Sequence, residues 1–161
     1  MKIEFILNGD DVSLQRPSGT LLIDILREDF SLTGTKAGCV SGKCGLCAVL
    51  LNGKISHACL VPAFKLQGSE VITIEGFALT DEYHDAAGGF ERAGLEDCGY
   101  CRSARFLTAG SVLNRNRRPS RGEILRLAGD VKCRCTDPLK FAEGIKMAIE
   151  ERQRRLSGKS S

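Results

Sequence analysis

The stretch Cys39-Val40-Ser41-Gly42-Lys43-Cys44-Gly45-Leu46-Cys47, followed by Cys59 after eleven intervening residues, carries half of the chain's eight cysteines. Its C-x4-C-x2-C opening is the plant-type spacing of 2Fe-2S ligands. Two tetrahedral irons need four thiolates converging from a tightly wrapped loop, and Gly38, Gly42 and Gly45 let backbone come close and turn N–H groups toward sulfur. A zinc ion is the rival occupant, and it takes two close Cys pairs. Cys44 and Cys47 make one such pair, but Cys39 and Cys59 do not make the other, so the spacing favours iron and sulfide.

The other four cysteines stand in Cys98-Gly99-Tyr100-Cys101 and Cys133-Arg134-Cys135. Taken alone, a C-x2-C with a distant C-x-C suits zinc, a redox dithiol or an iron-sulfur cluster equally. Placement favours the cluster: the first pair opens one expected helix and the second lies just ahead of another, where helix N-termini stabilise an anion. Chance clustering of four free thiols is the bland alternative.

The remaining 161-residue composition is that of a water-soluble globular chain, 42% hydrophobic and 27% charged, with no Trp. Met1 to Val12 shows no basic-then-apolar leader, and the longest apolar run, Leu46 to Leu51, is too short to span a bilayer. A cytoplasmic location is therefore expected, with thiols kept reduced for metal rather than paired in disulfides. Net charge is +3, too small to suggest nucleic acid, and the basic excess is confined to the last third of the chain.

Ile3, Phe5 and Leu7 alternate with polar residues, Asn8-Gly9 is a hairpin turn, and Val12 and Leu14 resume the alternation. Leu21, Leu22, Ile25 and Leu26 share a helical face, with Ser18 or Thr20 available as a cap. Strand signals return in Leu46 to Leu51, Lys54 to Ala58 and Val71 to Ile74, the first two joined by Asn52-Gly53. Residues 1–76 thus read as a mixed sheet on one helix. Ala78 to Gly89 is small and polar and reads as a linker running into a first short helix. Beyond it come helices over Cys101 to Leu113, after a Ser120/Glu123 capping box, and after Asp137-Pro138.

His57 precedes Cys59 by two residues, but a Rieske centre needs two His on one iron, so a plain strand residue is expected. His84 reads as a packing or hydrogen-bonding residue. Arg115, Arg117, Arg118 and Arg121 lack interleaved aromatics that would stack bases, and read as a solvated or subunit-facing surface. No nucleotide-binding loop or nucleophile-base pair is present, so no substrate chemistry is expected on this chain.

The run Leu32-Thr33-Gly34-Thr35-Lys36-Ala37-Gly38-Cys39, continuing through Cys44-Gly45-Leu46-Cys47, with C-x2-C and Cys133-Arg134-Cys135-Thr136 downstream, resembles the small iron-sulfur subunit of molybdenum hydroxylases. That family includes xanthine dehydrogenase, aldehyde oxidoreductase and the molybdenum-type carbon monoxide dehydrogenase. The resemblance runs from about Lys2 to Ile149. It implies an α+β chain: an N-terminal β-grasp, 2Fe-2S ferredoxin-like domain over 1–76, a linker over 77–83, an all-α four-helix domain over 84–156 and a frayed tail over 157–161. It further implies two 2Fe-2S clusters, one on Cys39, Cys44, Cys47 and Cys59, the other on Cys98, Cys101, Cys133 and Cys135. The chain would be the electron-transfer subunit of an oxidoreductase, passing single electrons from a molybdopterin-binding large subunit through the helical cluster, then the ferredoxin cluster, to an FAD-binding medium subunit. A zinc-stapled interaction module and an iron-sulfur sensor without a molybdenum partner are the other readings.

The chain departs from the family pattern at Asp97, where Gln is usual, at Arg102-Ser103-Ala104 for Thr-Pro-Gly, at Asp130-Val131-Lys132 for Gly-Asn-Leu, and at Asp85 and Ala87 for Pro and Gln. All are expected on the side meeting the molybdenum subunit. An ionised Asp97 is expected to pair with Arg102 or Arg105 beside the helical cluster.

Overall fold

A computed structural model describes residues 1–96 and 98–158. Strands β1 (Lys2–Leu7) and β2 (Asp10–Gln15) form the expected antiparallel hairpin. Asn8 and Gly9 take φ of 52° and 90°, the left-handed pair that matches a two-residue turn to the strand twist. Ile3, Phe5 and Leu7 all point inward. Strands β3 (Ala48–Leu51), β4 (Lys54–His57) and β5 (Glu70–Ile72) complete a sheet of order β2-β1-β5-β3-β4, in which only the β1–β5 pairing is parallel.

Helix α1 (Leu22–Asp24) runs directly into a π-helical turn over Ile25–Asp29. Leu22, Ile23, Ile25 and Leu26 pack there against Ile3, Phe5, Val49 and Val71. Neither Ser18 nor Thr20 caps it. Leu21 holds the N-cap without a side-chain bond, and the Leu22 N–H donates to the Val61 carbonyl at 2.8 Å, so the neighbouring chain satisfies the end that a hydroxyl was expected to satisfy.

Both faces of β3 are buried, which accounts for its unbroken apolar run. Val49, like Cys47 just before the strand, joins the α1 core; Leu46, Ala48 and Leu50 join a second core made by the helices. That second core comprises α2 (Ile74–Phe77), α3 (Asp81–Arg92), α4 (Arg102–Leu113), α5 (Arg121–Asp130) and α6 (Pro138–Leu156). α4 is central, every residue from Ala104 to Leu113 being buried. The capping box forms on α5, with Glu123 N–H donating to Ser120 Oγ at 3.2 Å and Ser120 N–H to Glu123 Oε2 at 2.9 Å. α6 opens on Asp137, whose Oδ1 accepts from Leu139 N–H at 2.6 Å.

Residues 77–83 are ordered in turns and helix ends. They hold the end of α2 and the first turn of α3, which Thr80 caps through a 3.2 Å bond from Tyr83 N–H. Gly88 and Gly89 lie inside α3, where the helix presses on α6: a Cβ on Gly89 would collide with Ala148 backbone. No helix among the described residues is long and apolar enough to cross a membrane.

Candidate metal centres

The loop from Ala37 to Cys47 winds through three left-handed residues, Val40, Gly42 and Gly45, with φ of 51°, 75° and 74°. This curvature turns successive N–H groups onto sulfur. Cys39 Sγ accepts from Ser41, Lys43 and Cys44 N–H at 3.4, 3.2 and 3.3 Å. Cys44 Sγ accepts from Cys39 and Leu46 N–H, both at 3.4 Å, and Cys47 Sγ from Cys59 N–H at 3.5 Å. A Cβ on Gly38 would sit 2.8 Å from Cys44 Sγ, so the backbone approach that glycine was expected to allow is present. The Ser41 hydroxyl, followed by the backbone N–H groups, pulls the exposed Cys39 thiol down to about 5. Burial pushes the Cys47 thiol up to about 12. His57 ends β4 opposite Ala48 as a strand residue, and His84 is exposed with its ring edge-on to Tyr83.

The second set converges from three places: the turn before α4, the start of α4, and the loop between α5 and α6. Cys98 and Cys101 sulfurs lie 3.3 Å apart, Cys101 donates to Cys133 at 2.8 Å, and the Cys135 N–H donates to Cys133 Sγ at 3.3 Å. Among the described residues, no three His, Cys, Asp or Glu side chains are spaced round one point as a single ion would need. The backbone N–H of Cys101 and other donors lower Cys98 to about 7, while burial raises Cys101. At Cys133 burial is outweighed by the Cys101 thiol, the Cys135 and Thr136 N–H groups and the Arg105 cation, so its thiol lies lower than usual. Cys135 is raised by its bond to Cys98.

Two contacts join the sites. Lys132 N–H donates to the Cys44 carbonyl at 2.8 Å, and Tyr100 Oη donates to the Ala37 carbonyl at 3.2 Å. Gly45 lies against the Asp130 carbonyl so closely that a Cβ would overlap it. The backbone of Asp130-Val131-Lys132 therefore faces the first cysteine loop, while the Asp130 and Lys132 side chains are exposed. Asp85 faces inward: it is buried against α6, where Arg155 Nε and Nη2 donate to it at 3.0 and 2.8 Å. Asp97 lies outside the described residues. Arg105 is occupied by Cys133 Sγ and the Glu96 carbonyl, at 2.6 and 2.9 Å. Its contact with a thiol escaped the sequence reading, although a charged residue four positions after Cys101 on a buried helix was a usable signal. The arginine-rich segment resolves into Arg115 and Arg117 on Glu123, and Arg118 and Arg121 on the rim of a groove of about 560 Å³ between α5 and α6 that no cysteine lines.

The donor chemistry fits 2Fe-2S clusters: four thiols in each set, N–H groups aimed at sulfur, and glycines where backbone must come close.

Two family models match successive parts of the chain. The "2Fe-2S iron-sulfur cluster binding domain" matches residues 5–72 and the "[2Fe-2S] binding domain" residues 73–146. The chain is 36% identical over 148 residues to the nicotinate dehydrogenase small FeS subunit of Eubacterium barkeri, covering 92% of this chain and 94% of that one. It is 40% identical over 113 residues to the aldehyde oxidoreductase iron-sulfur-binding subunit PaoA of Escherichia coli, spanning 70% of this chain and about half, 49%, of that subunit. Quinoline 2-oxidoreductase from Pseudomonas putida 86 superposes with a TM-score of 0.78 at 32% identity, over 95% of this chain and 96% of that one. Aldehyde oxidoreductase from Desulfovibrio desulfuricans gives 0.81 at 28% identity, over 99% of this chain and 18% of that one.

A ferredoxin-like mixed sheet followed by a helical region, each matched by a 2Fe-2S-binding model, defines an iron-sulfur electron-transfer protein. The chain belongs to the iron-sulfur subunits of the molybdenum hydroxylase family of oxidoreductases.

Proposed function

We propose that this chain is the internal electron relay of a cytoplasmic molybdenum hydroxylase, with Cys39, Cys44, Cys47 and Cys59 holding one cluster and Cys98, Cys101, Cys133 and Cys135 the other. When bound, the clusters each take one electron at a time, linking molybdopterin on a large subunit to FAD on a medium subunit. The observation that carries the reading is the Lys132 N–H bond to the Cys44 carbonyl, because Lys132 adjoins one proposed ligand, Cys133, and Cys44 is another. One hydrogen bond and a few covalent bonds thus connect the two ligand sets. Buried Cys47, Cys59 and Cys101 keep water from one side of each site, while exposed Cys39 and Cys135 leave the opposite side open to partner subunits. The units proposed to fold around each set meet close to residues 73–76, where the strand region passes into α2.

Affinity purification of the tagged chain from its own host tests this reading. Four irons and four acid-labile sulfides per chain are expected, with co-purifying molybdenum- and flavin-bearing subunits. Stoichiometric zinc without labile sulfide would support the zinc module instead, and iron without those partners would support a sensor.

A further inference from the structure

We propose that Arg105 is a positioning residue that raises the reduction potential of the helical-domain centre by holding a permanent positive charge on a ligand sulfur. The proposal rests on the reading of Cys98, Cys101, Cys133 and Cys135 as cluster ligands.

Arg105 is 1% exposed, among the most buried large side chains of the molecule. Isolated burial of a guanidinium is costly, and a buried charge needs a counter-charge with further hydrogen bonds. Among the described residues, no carboxylate forms an ion pair with it. What faces it is the Glu96 carbonyl, the Phe141 ring 5.9 Å from its carbon centre, and Cys133 Sγ at 2.6 Å from Nη2. Its Nε is buried without a partner. Among the described residues facing it, the group able to carry a compensating negative charge is therefore the Cys133 sulfur. Helix geometry enforces the aim: Arg105 stands one turn after Cys101, its N–H donating to the Cys101 carbonyl at 3.1 Å, on the buried face of α4.

The sulfurs of the first site receive backbone N–H groups, with no Arg or Lys side chain donating to them among the described residues. Adding an electron makes a thiolate-bound centre more negative, so a nearby fixed cation and a hydrogen bond to ligand sulfur both favour the reduced form. Arg105 would bias the helical centre toward accepting electrons.

The test is a redox titration of the full chain with its clusters, followed by electron paramagnetic resonance, in wild type and in Arg105→Met, Arg105→Gln and Arg105→Lys. Iron and sulfide content with two resolved signals in the wild type checks the ligand reading separately. In Arg105→Met the helical centre's reduction equilibrium should shift at least tenfold toward the oxidised form, about 59 mV for a one-electron couple. The shift should be smaller in Arg105→Lys, and the other signal should not move. A helical midpoint displaced less than threefold, or equal displacement of both signals, overturns the proposal. Should Arg105→Met lose the helical signal, Gln against Lys carries the test, the Lys variant lying at least threefold toward the reduced form. Loss of that signal in all three variants assigns Arg105 to folding alone and overturns it equally.

Discussion

Gly45 combines two demands that a larger residue cannot meet. Its φ of 74° disfavours any Cβ, and a Cβ would also overlap the Asp130 carbonyl. Gly45→Ala should destabilise the chain by about 1–3 kcal/mol in denaturant unfolding. It should also slow electron exchange between the two centres in rapid-freeze measurements, because relieving the overlap pulls Lys132 from Cys44. Glu123 makes a different statement at the same scale. Arg117, followed by the Ser120 N–H, holds its carboxyl down at about 2 from an ordinary 4.5. A depressed acid contributes stability that is full above the unfolded value and is lost as pH falls toward the folded one. The α5 cap should therefore hold at pH 4 and open only as pH approaches 2, which carboxyl chemical shifts of Glu123 will follow. A midpoint near 4.5 would mean the Arg117 contact does not form in solution.

At the scale of elements, the α3–α6 contact decides how two neighbouring glycines behave. A Cβ on Gly89 meets Ala148 backbone, which cannot yield without separating the helices. A Cβ on Gly88 lies 3.3 Å from Glu151 Cγ, the middle of a flexible side chain. Gly89→Ala should cost about 3 kcal/mol by thermal or chemical unfolding, whereas Gly88→Ala should be neutral or stabilising by up to about 1 kcal/mol through helix propensity. Equal effects at both positions would contradict the packing. This contact also explains why the start of α3 was illegible: small polar residues mimic a linker, and only the partner helix reveals that their smallness serves close approach. The Asp85 contact is out of reach of local pattern for the same reason, since its partner Arg155 lies 70 positions away.

For the whole molecule, β3 contributes side chains to both apolar cores, and the two cysteine loops are joined by the backbone hydrogen bond from Lys132 to Cys44 and the side-chain bond from Tyr100 to Ala37. Calorimetry should accordingly show one unfolding transition, not two. Cys133→Ala should lower that single melting temperature and remove the helical resonance signal, leaving the ferredoxin-type signal intact below the melt; joint loss of both signals would break the assignment of ligands to two separate centres. The sequence by itself determined the strands, their turns at Asn8-Gly9 and Asn52-Gly53, the caps at Ser120 and Asp137, and the two thiol sets, because each depends on residues close in the chain or on cysteine spacing. Tertiary structure alone decided that the sheet buries its second face on α4, that Asp130 to Lys132 seats on the first cysteine loop, and that Arg105 meets Cys133. Those contacts join residues far apart in sequence, and their energies come from burial and charge compensation, which local pattern does not encode.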